Sequence, residues 1–127
     1  WDYRRFRPIA QQRFNHCYVN LERDAKGIAT ASLRHVPSNR TITITMDEAF
    51  SAVVVYTGDA IADAPRAALA IEPMTCASDA FNHPDWGLMR LHPGETFSGC
   101  WSVDDSSRGT ARTPNSGIGG AACVLEN

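Results

Sequence analysis

A chain of 127 residues with 43% hydrophobic content can bury the core of one domain and is too short for two. Its 12 Lys and Arg against 14 Asp and Glu leave a net charge of −2, which excludes a field strong enough to gather nucleic acid or an anionic membrane. The apolar runs, such as Ala52-Val53-Val54-Val55-Tyr56, are too short to span a bilayer.

The opening Asp2-Tyr3-Arg4-Arg5-Phe6-Arg7-Pro8-Ile9 interleaves arginine with aromatics, a pattern that suits base stacking. The acidic balance of the whole chain argues instead that this arm packs on its own domain. Next comes Phe14-Asn15-His16-Cys17-Tyr18-Val19-Asn20-Leu21, with Phe14, Tyr18 and Leu21 for burial and Asn15 and His16 as groups that can meet hydroxyls. From Gly27 the chain turns to strands. Ile28 to Val36 alternates loosely, Pro37-Ser38-Asn39 supplies a turn, and Thr41 to Met46 alternates strictly, with Ile42, Ile44 and Met46 on one face and three threonines on the other. Phe50 to Thr57 is apolar on both faces and is expected at the centre of a sheet.

Ala68-Leu69-Ala70-Ile71 then leads into Glu72 and Pro73. A glutamate on such a run must be solvated, paired or used. Pro73 brings no backbone donor, so pairing is expected to weaken there and leave Glu72 at the strand's end, partly buried. From these residues alone, a carboxylate facing water is the plain alternative to a functional one. The loop after it carries Asp79, His83, Asp85 and Trp86. An indole beside polar side chains can take the apolar face of a pyranose, or can simply cover a core. Leu88 to Leu91 reads as a short strand, and Thr96 to Val103 as another in which Phe97, Gly99, Trp101 and Val103 share a face. The expected core is Ile42, Ile44, Met46, Val53, Val55, Phe97 and Trp101. From Asp104 to Asn127 the chain is rich in Gly, Ser, Thr and Pro and is expected to be a flexible tail, although Ala121 to Leu125 has the composition of an edge strand. Helix signals are nearly absent. Cys17, Cys76, Cys100 and Cys123 lack the Cys-x-x-Cys spacing of zinc and redox motifs, so no metal is expected, and they read as small buried hydrophobes of a reducing, cytoplasmic setting.

Three phrases together carry a resemblance. Ile71-Glu72-Pro73-Met74-Thr75 with Asp79-Ala80-Phe81-Asn82, preceded by Val54-Val55-Tyr56-Thr57-Gly58 and followed by Leu91-His92-Pro93-Gly94-Glu95-Thr96, resembles the C-terminal part of the aldose 1-epimerase (galactose mutarotase) family. The likeness runs from about Asp2 to Val103. It implies an all-β fold, the antiparallel β-sandwich (supersandwich) of the galactose mutarotases, and an isomerase that interconverts the α and β anomers of a hexose such as galactose or glucose. It implies no cofactor, and it makes Glu72 the catalytic base. The Asn15-His16 block matches the family in two ways. One aligns it with an Asp-His-x-Phe/Tyr-x-Leu block whose aspartate binds sugar hydroxyls, so that Asn15 stands where a carboxylate is usual. The other aligns it with an Asn-His-x-Tyr-x-Asn-Leu block and makes His16 the catalytic acid. The order of the flanking phrases favours the first, under which the acid lies in an upstream half and this chain is the C-terminal portion of an enzyme. A homodimer or a complementing N-terminal half is then the expected partner, beside the hexose itself. The competing class is a carbohydrate-binding or structural β-sandwich module without catalysis, in which Glu72, Asn15 and Trp86 only hold a sugar.

Overall fold

The computed structural model describes residues 2–106 and 124–126, the last three by backbone alone. Among the described residues the fold is all-β, with seven strands and one 3₁₀ turn in two sheets. No helix among the described residues is long and apolar enough to cross a membrane. The chain divides into two compact units, each with one sheet.

The first unit holds residues 2–10, 22–48, 99–106 and 124–126. Strands β2 (Ala29–His35) and β3 (Arg40–Met46) form a hairpin across the expected Pro37-Ser38-Asn39 turn, which closes with Asn39 N–H donating to the Val36 carbonyl at 3.1 Å. Asn39 takes the left-handed conformation, φ 51°, that asparagine tolerates in turns. Their register opposes Ala29 to Met46 and Ala31 to Ile44, and all four side chains are buried. The other face carries hydroxyl pairs, Ser32 with Thr43 at 3.4 Å and Thr45 with Ser102 at 3.3 Å. Strand β6 (Trp101–Ser106) pairs antiparallel with β3, and β7 (Val124–Glu126) pairs parallel with β2, giving the order β6-β3-β2-β7.

Two expectations shift here. Trp101 is not core: it is 50% exposed, Phe97 is half-buried and lies outside any strand, and Ile42 is half-buried. Trp101 does share a face with buried Met46, but β6 is the edge of its sheet and has a neighbour on one side only, so the rim of that face stays open. The expected tail boundary at Asp104 falls inside β6, because Asp104, Asp105 and Ser106 pair with Thr43, Ile42 and Thr41, and Arg40 grips Asp105 through Nε at 3.0 Å and Nη2 at 2.6 Å. The rest of the expected tail, residues 107–123 and 127, lies outside the described residues. The arginine-rich arm is spent on contacts within this unit. Arg4 pairs with Asp2 and Glu22, Arg7 donates to the Asp2 carbonyl, and Arg34 lies 4.2 Å over the Phe6 ring.

The second unit, Gln11–Leu21 and Ala49–Ser98, holds the sheet β1-β4-β5. Strand β4 (Ala52–Tyr56) is central, as its two apolar faces require, with β1 (Asn15–Tyr18) and β5 (Ala70–Met74) antiparallel on either side. Ala52, Val53 and Val55 are fully buried. Pro73 does not end β5. It sits inside the strand opposite Val53, which an edge strand permits because the missing donor can face the open side. The Leu88 to Leu91 strand does not form; that stretch is irregular, with Met89 and Leu91 about half exposed.

Candidate active site

In an antiparallel sheet, residues directly opposite share a face and successive residues alternate. The registers pair Cys17 with Val54 and Val54 with Glu72, so these three form one row across the sheet. Asn15, Tyr56 and Ala70 form the next row on the same face. Glu72 and Asn15 therefore leave the sheet on one side, and both are exposed. Glu72 is mid-strand and open to solvent rather than partly buried at a strand's end. Among the described residues no hydrogen bond or ion pair reaches its carboxylate.

His16 stands in the row of Val55 and Ile71, on the opposite face. Its ring lies edge-on to Phe14, centroids 5.9 Å apart, and 6.4 Å from Tyr18. Nδ1 accepts the Asn15 backbone N–H at 3.1 Å, which in the neutral ring leaves the proton on Nε2. The sheet thus brings Asn15 to the side of Glu72 and sends His16 away from it.

Trp86 ends the 3₁₀ turn Pro84–Trp86 and stacks on His83, 4.0 Å between centroids at 15°. His83 Nε2 lies 3.7 Å from an Asp79 oxygen. The turn is fastened to the loop after β5 by Ala77 N–H donating to the Trp86 carbonyl at 3.0 Å. Gly87 follows at φ 92°, where a Cβ would come within 3.2 Å of Ser51 Oγ. Trp86 and Gly87 line a cavity of about 450 Å³ with Cys17, Val19, Asn20, Ser51, Ala77 and Ser78. Neither Glu72, Asn15 nor His16 lines it.

One group of residues escaped the reading of the sequence. Thr57 is buried, 3% exposed, and its hydroxyl accepts the Phe14 N–H at 2.9 Å, lies 3.2 Å from the Phe14 carbonyl and bonds the Asp59 carboxylate. Arg66 joins that carboxylate, at 2.9 Å, to the Gln12 carbonyl at 3.0 Å. The hydroxyl of Thr57 first, then Arg66 and Arg13, hold the Asp59 carboxyl below the usual carboxylate range. This clamp fixes the residue that precedes β1, and so sets where Asn15 starts. No short motif announces it, since the backbone that Thr57 and Arg66 hold, at Phe14 and Gln12, lies 43 and 54 positions away. Cys17 follows from β1: in an alternating strand it must accompany Asn15. Cys17 and Cys76 are half-buried free thiols and Cys100 is an exposed one, so burial holds for none of the three in full.

A protein-family model described as aldose 1-epimerase matches residues 1–102. No curated protein and no solved structure matches the chain.

Proposed function

The chain belongs to the aldose 1-epimerase family, and from that premise we propose that it works in the interconversion of hexose anomers, with Glu72 as the base. Mutarotation takes the proton from the anomeric hydroxyl, returns a proton to the ring oxygen as the C1–O5 bond opens, and reverses both steps after rotation of the aldehyde. A carboxylate that no hydrogen bond or ion pair reaches among the described residues, on an open sheet face, can receive that first proton. Asn15 on the same face offers an amide that can both donate to and accept from a sugar hydroxyl. The observation that carries the reading is this shared, exposed face of Glu72 and Asn15. His16 has no part in the proton transfers under this reading, and the acid is a group outside the face described above. Cys17, Cys76 and Cys100, free thiols among the described residues, suit a reducing, cytoplasmic enzyme. Polarimetry of freshly dissolved α-D-glucose and α-D-galactose tests the activity. The rotation should relax faster with protein than in buffer; a rate equal to buffer for both sugars would leave a sugar-binding module in its place.

A further inference from the structure

Cys17 and Cys76 are both half-buried free thiols, and both belong to the unit that carries Glu72. The proton transfers proposed above use neither sulfur. Cys17 shares the cross-strand row of Glu72 with Val54 between them, so the two backbones stand two interstrand spacings apart, about 10 Å. It also lines the cavity of about 450 Å³. The chain that leaves β5 comes back toward Cys17 over the Glu72 face. Ser51 Oγ donates to the Thr75 carbonyl at 2.9 Å just before β4, and Ser78 N–H donates to Cys17 Sγ at 3.4 Å. Cys76 lies in the chain between these two anchors.

Gly87 closes one side of it. A Cβ on that glycine would stand 3.5 Å from Cys76 Cα and 3.6 Å from its Cβ, and Gly87 lines the cavity together with Cys17. Ser78, in contact with the Cys17 sulfur, is two residues from Cys76, a span of at most about 7 Å. A disulfide needs its Cα atoms about 4.4–6.8 Å apart. Cys17 is fixed in β1, whereas Cys76 follows the end of β5, so any adjustment that brings the pair together falls on the loop.

We propose that Cys17 and Cys76 are a modification site, a thiol pair that a small-molecule disulfide such as glutathione disulfide oxidises to an intramolecular disulfide, and that this bond restrains the loop over the Glu72 face and slows the sugar reaction. The cavity gives the reagent room at Cys17, so the Cys17 thiolate attacks first. The S–S bond of the reagent breaks, a bond forms between Cys17 and one glutathione sulfur, and the other glutathione leaves as thiolate and takes up the proton that Cys17 gave. The Cys76 thiolate then attacks the Cys17 sulfur, and the second glutathione leaves in the same way. Two protein thiols are oxidised, and one disulfide is reduced to two thiols. In a reducing compartment such a bond is transient, a sensor rather than a staple. The oxidation rests on the two thiols alone; its effect on turnover rests on the reading of Glu72 and Asn15 as the sugar face.

The test equilibrates the protein in mixtures of oxidised and reduced glutathione, alkylates the remaining thiols and maps unreduced peptides by mass spectrometry. Mutarotation, and binding of methyl β-galactoside by calorimetry, are measured on the same samples. A Cys17–Cys76 cross-link should form and be reversed by dithiothreitol, while exposed Cys100 stops at a glutathione adduct. Cys76→Ser should trap the adduct on Cys17, and Cys17→Ser should show neither the cross-link nor a loss of turnover on oxidation. In the unsubstituted protein turnover should fall as the cross-link forms and return on reduction. A cross-link in a protein that neither turns over nor binds sugar in either state would remove the catalytic reading and keep the modification site. A cross-link that leaves turnover and binding unchanged would overturn the restraint. Cys17 and Cys76 that stay open to alkylation while Cys100 carries glutathione, or a dominant cross-link to Cys100 or Cys123, would overturn the thiol pair itself.

Discussion

At the scale of single residues, the decisive contrast is between neighbours. Asn15 and His16 are adjacent in sequence, yet strand alternation sends them to opposite faces, and only Asn15 joins Glu72. The sequence alone marks no strand at this block and sets both residues toward hydroxyls, so their parity comes from β1 itself, and the face that Glu72 shares comes from the registers of two separate pairings through β4. We expect His16→Ala to keep mutarotation within about tenfold of the parent, well short of the ~10²–10⁴-fold loss typical of a missing acid or base. A loss in that larger range, measured by polarimetry with the fold checked by circular dichroism, would return His16 to the reaction. Asn15→Ala should act differently, raising KM more than it lowers kcat, since it removes a hydroxyl contact made in both ground and transition states. Trp101 shows where residue-level reading fails. Its place on the Met46 face follows from alternation, but its exposure follows from β6 being an edge, which no local pattern states.

At the scale of elements, β3 stood out by its strict alternation, β4 by its two apolar faces and β2 by a looser alternation, while β6 was displaced and the strand at Leu88 to Leu91 was absent. The difference is pairing: β3 is hydrogen-bonded on both sides, whereas Leu88 to Leu91 has no partner strand. The hydrogen bonds on Thr57, Asp59 and Arg66 hold the approach to β1, and two predictions follow from their chemistry. Thr57→Val keeps shape but leaves the buried Phe14 N–H without its acceptor, so denaturant unfolding should show a loss of about 1–3 kcal/mol. The Asp59 carboxyl is held below its unfolded range, so its contribution is present above the ordinary carboxylate pKa and is lost as pH falls through the lower, folded value. Acidification should therefore weaken this clamp only in the acid range, and Asp59→Asn should flatten that part of the stability profile. A profile unchanged by the substitution would show that Asp59 does not link proton uptake to unfolding.

At the scale of the whole molecule, apolar surface is left open in both units. Trp101 and Val103 are 50% and 55% exposed along β6, and Met89, Leu91 and Phe81 project from the loops of the second unit. Among the described residues, strands β5 and β6 each end a sheet with one unpaired side. Exposed apolar side chains and open strand edges favour association. Light scattering across a concentration series should therefore show dimers or larger species, and a monomer throughout would show that these surfaces are too dispersed to bind one another. The all-β class was legible in the sequence from the period-two segments at Thr41 to Met46 and Thr96 to Val103 and the near absence of helix signals; the division into two units was not, since it arises from which segments return to which sheet.

The central claim, that Glu72 is the base, is tested most directly by Glu72→Gln in the full-length protein, with turnover and binding measured side by side. Glutamine keeps the length and hydrogen-bonding reach of the side chain and removes only the basic oxygen. Anomer exchange of glucose or galactose, followed by polarimetry or by magnetisation transfer between the two anomeric protons, should slow by ~10²–10⁴-fold, while sugar affinity by calorimetry changes far less. A Gln variant that interconverts the anomers at nearly the parental rate would contradict the account and leave Glu72 a solvated carboxylate on an open sheet face.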